Sequence, residues 1–373
     1  MFDPWCNFNV LRAMFHLRRL WALRPQRNHA AQAAEQHWRE SYEQMWADAA
    51  VRLGAQFRPL GFGICEIARN GLATRVQHNC TAIDDYVTMT IALNKTLVYR
   101  LLEAAGLPVP RHEAFTLRTL SRAAALLDRV GAACVVKPAN GTGGGMGVTT
   151  GIRTRRQLAW AATWAAQAGG DLLIEEQIPG DNLRLLYLDG VLLDAIHRRA
   201  PSVTADGRST VRMLVDQTNQ ARLLHGSSVS QVLLTVDLDM RNTLARQGLS
   251  LGCVPPAGAV IPVKTVINQN FAADNVTVTD RLCPAIVDAG ARAARCVGVR
   301  LAGVDVITTD PTRPLEATGG VVLEVNTTPG YHFHYHKNDG SYPVAERVLA
   351  QLLDDRQHAA RQCAGKETPA CSS

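Results

Sequence analysis

Cys134 to Val148 reads CVVKPANGTGGGMGV, and the interpretation of this stretch decides the fold. Cys134, Val135 and Val136 have the profile of a buried strand, which Lys137-Pro138 ends. Asn140-Gly141-Thr142-Gly143-Gly144-Gly145-Met146-Gly147 follows, and a second β-prone run extends from Val148 to Ile152. Glycines without a Cβ let successive backbone N–H groups turn toward an anion, so a glycine-rich loop between two strands can cradle phosphate. A P-loop has Lys-Ser/Thr after its glycines and a helix beyond, and neither occurs here. A dinucleotide fingerprint also fails, because Met146 stands at its third glycine position and no helix opens there. Taken alone, the segment fits a hairpin turn and a phosphate loop equally.

Lysine usage bears on the choice. The 373 residues include five lysines against thirty-four arginines. Lys95 lies in ALNKTLVYRLLEAAGLPVP and Lys137 beside the glycine loop. Where a surface cation suffices this sequence uses arginine. A retained lysine therefore suggests a task for a compact ammonium, such as reaching phosphate where a planar guanidinium does not fit. Downstream, Asp305 interrupts the apolar runs Leu301–Val304 and Val306-Ile307, while Glu324 and Asn326 interrupt Val321–Leu323 and Val325. Residues i and i+2 of a strand share a face, so Glu324 and Asn326 point the same way. Two carboxylates and an amide on buried strands suit Mg²⁺, which accepts one or two carboxylates and completes its shell with water and nucleotide phosphate. An edge strand with a solvated polar face is the other reading of the same pattern.

In order along the chain, NKTLVYRLLEAAGLPVP, VVKP with its glycine loop, LLIEEQIPG, RRAPSVTADGRSTV, NVTVTD, AGVDV and LEVNTTPG resemble the ATP-grasp ligases. Within that superfamily, the region from about Val87 to about Gly330 is most similar to the ATP-grasp module of cyanophycin synthetase. D-alanine–D-alanine ligases share the outer elements but not RRAPSVTADGRSTV. The resemblance implies an ATP-grasp fold, in which two α+β subdomains clasp ATP, together with ATP and Mg²⁺ as cofactors. Two Mg²⁺ ions are expected, with Mn²⁺ able to substitute.

Position by position, the resemblance implies that Lys95 and Lys137 contact the ATP phosphates, under a flexible loop containing Gly143, Gly144 and Gly145. Glu175 and Glu176 lead into a hinge whose backbone near Ile178 meets the adenine edge. Asn182, or neighbouring Asp181, takes the place of a ribose-binding acid. Arg184, Arg198 and Arg199 match catalytic basic residues near the γ-phosphate and the activated carboxylate. Asp305, Glu324 and Asn326 match the metal triad.

There are also departures. Tyr99 replaces a lysine, Gly303 replaces an arginine that D-alanine ligases use, and Asn270-Phe271-Ala272-Ala273 replaces a Ser-Thr-Gly-Gly loop on the acceptor side. Cyanophycin synthetase also lacks that arginine; it is the changed loop, on the acceptor side in relatives, that disfavours cyanophycin itself as product. Without the large flanking domains of cyanophycin synthetase, the expectation is a free-standing, retargeted relative.

The expected organisation is α+β, with an atypical, mainly helical N-terminal arm over residues 1–90 and an ATP-grasp domain over 91–355. Residues 108–180 form its lid, and 356–373 form a polar, disordered tail. Within the arm, FNVLRAMFHLRRLWALRP is arginine-studded and amphipathic, open to packing on protein or docking on a membrane surface, and it lacks a signal-peptide cleavage site. Arg27 to Gly54 reads as a helix with Trp38, Tyr42 and Trp46 on one face, and Phe62 to Thr74 as a hairpin turning at Asn70-Gly71. Helices are expected over Leu97–Ala105, Ser121–Val130, from Thr154 to Ala168, and over Arg281–Val297; strands are expected over Leu172–Glu176 and Val191–Arg198.

A net charge of +6, without an arginine run interleaved with aromatics, does not favour nucleic acid. Nine cysteines without CxxC or CxxH spacing suit reduced thiols in the cytoplasm, and no stretch has the apolar length of a membrane span. His332, His334 and His336 alternate as in a strand and are read as exposed or substrate-contacting; metal binding is the other reading. Relatives are often dimers, and a homodimer is compatible with the sequence.

The chemistry implied is formation of an amide from a small-molecule carboxylate and an amine through an acyl phosphate. A kinase on the same fold and a non-catalytic nucleotide-binding module are the alternatives. The Lys, Asp, Glu and Asn set disfavours the module.

Overall fold

The computed structural model describes residues 12, 13, 15, 29–141, 145–224 and 233–364. Four β-sheets organise them. The first is a meander of β1 (Gln56–Gly61), β2 (Ile64–Arg69) and β3 (Leu72–Gln77). Asn70 and Gly71 both have positive φ, 53° and 76°, as a tight two-residue hairpin turn requires. This sheet shares a core with the helices His29–Arg52 and Val344–Ala364, through Tyr42, Trp46, Ile67, Val76 and Val348. Trp38, Tyr42 and Trp46 lie on one helical face as expected, with the Trp38 and Tyr42 rings 5.1 Å apart. The C-terminal helix runs to Ala364, past the boundary expected for a disordered tail; residues 365–373 lie outside the described residues. So does most of the amphipathic opening segment.

The second sheet contains β4 (His112–Phe115), β5 (Cys134–Pro138), β6 (Thr149–Ile152) and β7 (Leu172–Glu176), ordered β4-β7-β5-β6 and antiparallel throughout. The helices Leu120–Val130 and Arg155–Ala165 pack on it through Leu126, Leu127, Leu158 and Ala162. Gly131 at φ 64° ends the first helix, and Thr154 with Gln157 forms a capping box that starts the second. That second helix stops at Ala165, short of the expected Ala168.

The third sheet begins with β8 (Asp181–Leu188) and β9 (Val191–Arg198). An excursion follows in which β10 (Ser202–Thr204) pairs with β11 (Val260–Pro262). With the helices Val211–Leu224 and Leu238–Arg246, it forms its own small core around Val203, Val215, Met240 and Val263. The chain then returns as β12 (Val276–Thr277), β13 (Leu301–Thr308) and β14 (Val321–Asn326), giving the order β12-β9-β8-β13-β14. The helices Lys95–Ala104 and Pro284–Val297 pack against this sheet. Pro284 occupies the first turn of its helix, so the helix starts there and not at Arg281, which belongs to a preceding 3₁₀ turn. Gly290 faces Tyr187 so closely that a Cβ would lie 2.3 Å from the phenol oxygen.

Asp239 joins the excursion to the second sheet. Its buried carboxylate accepts hydrogen bonds from Thr150 Oγ1 (2.8 Å), Thr265 N (3.0 Å) and Val266 N (3.1 Å). Among the described residues no helix is long and apolar enough to cross a membrane.

Candidate active site

Strands of the second and third sheets bound a cavity of about 310 Å³. β5 contributes Val135 and Lys137, β7 contributes Glu175 and Glu176, and the connection to β8 contributes Gln177 to Gly180. Asp305 and Glu324 approach from β13 and β14, and Lys95 from the start of its helix. Asn94 caps that helix by accepting from Leu97 N, while Lys95 N donates to Ala139 O at 3.0 Å and so ties the helix start to the end of β5. Gly180 holds φ 126° against β13. A Cβ there would lie 2.5 Å from the Thr308 carbonyl oxygen, so only glycine fits this bend.

The two lysines that stood out by their rarity converge here. Lys137 Nζ lies 2.8 Å from Glu175 Oε2, and Lys95 Nζ lies 3.2 Å from Glu324 Oε1. Tyr99, at the position where relatives are expected to have lysine, donates its hydroxyl to Glu175 at 2.7 Å and accepts from Lys137 Nζ at 3.3 Å. Burial, then the nearby Glu175 carboxylate, raises the phenol well above its ordinary value, so it stays a donor.

β13 is paired with β8 on one side and β14 on the other, and Asp305 stands opposite Arg184 and opposite Glu324. Arg184 grips Asp305 with both Nε and Nη2, the latter at 2.9 Å, and Arg198 Nη1 lies 3.7 Å from Asp305 Oδ1. Burial alone would raise the Glu324 carboxyl, but Lys95, Lys137 and Arg184 together hold it down at about 2. Arg198 is pushed down to about 10 by burial and by Arg184 beside it. Its guanidinium stacks 4.9 Å over the Phe333 ring. Four cations (Lys95, Lys137, Arg184 and Arg198) thus crowd three carboxylates (Glu175, Asp305 and Glu324). Such a site leaves positive potential for an anionic ligand.

Other expected residues fall differently. Strand alternation turns Asn182 inward and Asp181 outward. Asn182 lines the cavity, with a buried Oδ1 that has no partner among the described residues. Asp181 is exposed and lies 3.5 Å from His197. By the same alternation Arg198 is buried at the end of β9, whereas Arg199 is exposed; Arg184 and Arg198 lie behind the lining, reaching it through Asp305, and Arg199 does not line it either. Glu176 lines the cavity but pairs with Arg111 at 2.7 Å. Ile178 and Gly145 also line it. Gly143 and Gly144 lie outside the described residues. Asn326 is half-buried and does not line the cavity, and its amide donates to Gly303 O at 3.2 Å. At Gly303, where D-alanine ligases have an arginine, a Cβ would come 3.0 Å from Arg184 Nη1 and 3.1 Å from Pro329, so a side chain there would press on the Arg184 guanidinium.

The three histidines are not on a strand. His332 to Tyr335 forms a single helical turn, closed by His336 N donating to His332 O at 3.0 Å. His332 and His334 are buried, and His334 Nδ1 lies 2.8 Å from Asp194 Oδ2, which Lys337 also meets at 3.0 Å.

Sequence reasoning also missed Thr150, Gln177 and the stretch Thr265 to Ile267 as cavity lining. Gln177 Oε1 accepts from Gly151 N at 2.8 Å, and Thr265 arrives from the excursion held by Asp239. Gln177 follows LLIEE directly and could have been found from that position; Thr265 had no local signal.

No family model matches the chain. Cyanophycin synthetase of Nostoc sp. is 30% identical over 312 residues, covering 82% of this chain and 33% of that protein. That of Synechocystis sp. is 28% identical over 300 residues, covering 79% of this chain and 33% of its relative. The glutathione biosynthesis bifunctional protein of Desulfotalea psychrophila is 27% identical over 269 residues, covering 70% of this chain and 34% of that protein. The chain thus spans about a third of the length of the curated relatives it matches. Among solved structures, a bifunctional glutathione synthetase from Pasteurella multocida superposes with a TM-score of 0.55 at 22% identity, covering 84% of this chain and 43% of that one. These likenesses and the architecture mark the chain as an α+β ATP-grasp protein. Within that superfamily the chain is related to cyanophycin synthetase.

Proposed function

We propose that this chain is an ATP- and Mg²⁺-dependent ligase that joins a small-molecule carboxylate to the amine of an amino acid or small metabolite. The observation that carries the reading is Glu324. It is a carboxylate held ionised among Lys95, Lys137 and Arg184, beside Asp305, at the floor of a cavity bounded by both sheets. Structural ion pairs need no such convergence at a cavity floor, whereas phosphoryl transfer needs dense, pre-positioned charge.

In this reading, Lys95 and Lys137 meet the nucleotide phosphates, the backbone near Ile178 meets the adenine edge, and the inward Asn182 takes a ribose hydroxyl. Arg184 and Arg198 hold the reacting carboxylate. The donor set suits Mg²⁺. Among the described residues no three His, Cys, Asp or Glu side chains form a metal cluster by themselves. Two carboxylates and the side-chain oxygen of Asn326 would instead make the partial, oxygen-only shell that Mg²⁺ accepts when phosphates supply the rest. Asp305, Glu324 and Asn326 would hold the two ions expected of the family, which would neutralise charge on the phosphates.

The γ-phosphoryl group passes to a carboxylate oxygen and ADP leaves. The amine then attacks the acyl carbon, phosphate departs with that oxygen, and a proton leaves the new amide nitrogen. The positive surplus contributed by Arg198 suits both the carboxylate and the oxyanion of the second step. Neutral hydroxylamine can replace the amine. Incubation with ATP, Mg²⁺ and a panel of amino acids and other carboxylates is expected to yield ADP, phosphate and a hydroxamate from at least one acid. ADP formation coupled to a stable phosphate ester would reject the ligase reading.

A further inference from the structure

The N-terminal arm reaches the loop that follows β14. Tyr42, on the helix His29–Arg52, is 1% exposed, and its phenol oxygen accepts the backbone N–H of Tyr331 at 2.9 Å. The oxygen therefore already serves one N–H donor, and among the described residues no atom other than His332 Nδ1 is placed to accept its O–H. That O–H meets His332 Nδ1, which lies 3.4 Å away. Nδ1 is then the acceptor, and the proton of the neutral imidazole sits on Nε2. Burial, then His336, His334, Arg198 and Arg184, push His332 down to about 3, so the ring is uncharged at neutral pH. Nε2 is buried and has no acceptor among the described residues, in a side chain that is 6% exposed. A buried donor left unmet costs on the order of 1–3 kcal/mol, so it is a feature that calls for a ligand.

The surroundings indicate the ligand. Phe333 lies against His332 with ring centroids 4.0 Å apart and planes tilted by 46°, and its ring also supports the Arg198 guanidinium at 4.9 Å. Pro329, at the start of the same loop, limits the space at Gly303 together with Arg184. Asn79, also from the arm, donates to Thr328 O, which fixes the loop at a second point.

We infer that Tyr42 is a positioning residue of the active site: by fixing the loop and the His332 tautomer, it leaves Nε2–H to donate to an anionic oxygen of the reacting carboxylate or of the phosphate formed from it. This rests on the ligase reading and adds to it a task for the arm and for a histidine outside the phosphate and metal residues.

The test uses the full chain labelled with ¹⁵N-histidine, with His332 resonances assigned by comparison with His332→Gln. In the wild type, His332 is expected in the Nε2–H form, and its Nε2 signal is expected to move when inorganic phosphate is added to the Mg·ADP complex. In Tyr42→Phe, which keeps the ring and loses the hydroxyl, the tautomer is expected to become mixed and the phosphate response to weaken. Affinity for a non-hydrolysable ATP analogue should stay unchanged. An Nδ1–H tautomer in the wild type, or an Nε2 signal indifferent to phosphate, would overturn the inference, and neither readout depends on the variant folding. If the wild type fails to bind the ATP analogue at all, the ligase reading falls. If the analogue binds while His332 stays silent, only the present inference falls.

Discussion

Asp305 and Glu324 face each other across β13 and β14, yet each is committed to a different cation, Asp305 to Arg184 and Glu324 to Lys95. Two carboxylates side by side repel, and it is this division of partners, with Lys137 adding to the field, that holds Glu324 ionised. In Glu324→Gln the side-chain volume remains and the charge goes. Turnover is expected to fall about 100-fold or more while the far-ultraviolet circular dichroism spectrum is unchanged. Near-normal turnover at limiting Mg²⁺ would contradict the assignment.

The same residue sets a pH dependence. Its carboxyl is depressed from an ordinary 4.5 to about 2, so the stability it supplies is complete above the ordinary value and is lost as pH falls toward about 2. Thermal melts of the unliganded protein from about pH 5 down to about pH 3 should therefore show a steeper loss of Tm in the wild type than in Glu324→Gln. Parallel curves would show that Glu324 is not held ionised.

Lys137 sits with its ammonium between Tyr99 and Glu175 in a buried strand, where the larger planar guanidinium would have to displace both partners. Lys137→Arg is expected to weaken binding of a non-hydrolysable ATP analogue at least tenfold, about 1.4 kcal/mol, by calorimetric titration. Equal affinity would return the glycine segment to a plain hairpin turn.

Asp239 accepts from two backbone N–H groups of the Thr265-Val266 segment and from Thr150. Asparagine there would turn one acceptor into a donor facing donors. Asp239→Asn is expected to lower stability by about 1–3 kcal/mol in urea unfolding. It should also weaken nucleotide binding, because Thr265 to Ile267 line the cavity. A stable variant with intact binding would show that the excursion folds and docks without this carboxylate.

Much of this arrangement was legible in the sequence because it is local. Strand alternation alone separates Glu324 and Asn326 from their apolar neighbours, and it would also have separated Asn182 from Asp181 and Arg198 from Arg199 had it been applied there. The rarity of lysine reached further than its first use. Lys264 Nζ meets Asp237 and Gln269, and Lys337 meets Asp194, so each lysine among the described residues pairs with a carboxylate. The partners themselves were not legible, since Arg184 and Asp305, or Tyr42 and His332, are brought together only by the folded sheets and the arm. The histidines misled for the same reason. Their alternation is β-like, but Tyr42 captures the backbone of Tyr331 and the chain closes a helical turn instead.

The central claim is that phosphate is transferred to a carboxylate. Once a responsive acid is found in the hydroxamate panel, the same acid labelled with ¹⁸O in its carboxylate is incubated with ATP, Mg²⁺ and amine, and the released phosphate is analysed by mass spectrometry. One ¹⁸O per phosphate is the predicted result. Phosphate free of label, with ¹⁸O wholly retained in a stable phosphorylated product, would contradict the account and identify a kinase.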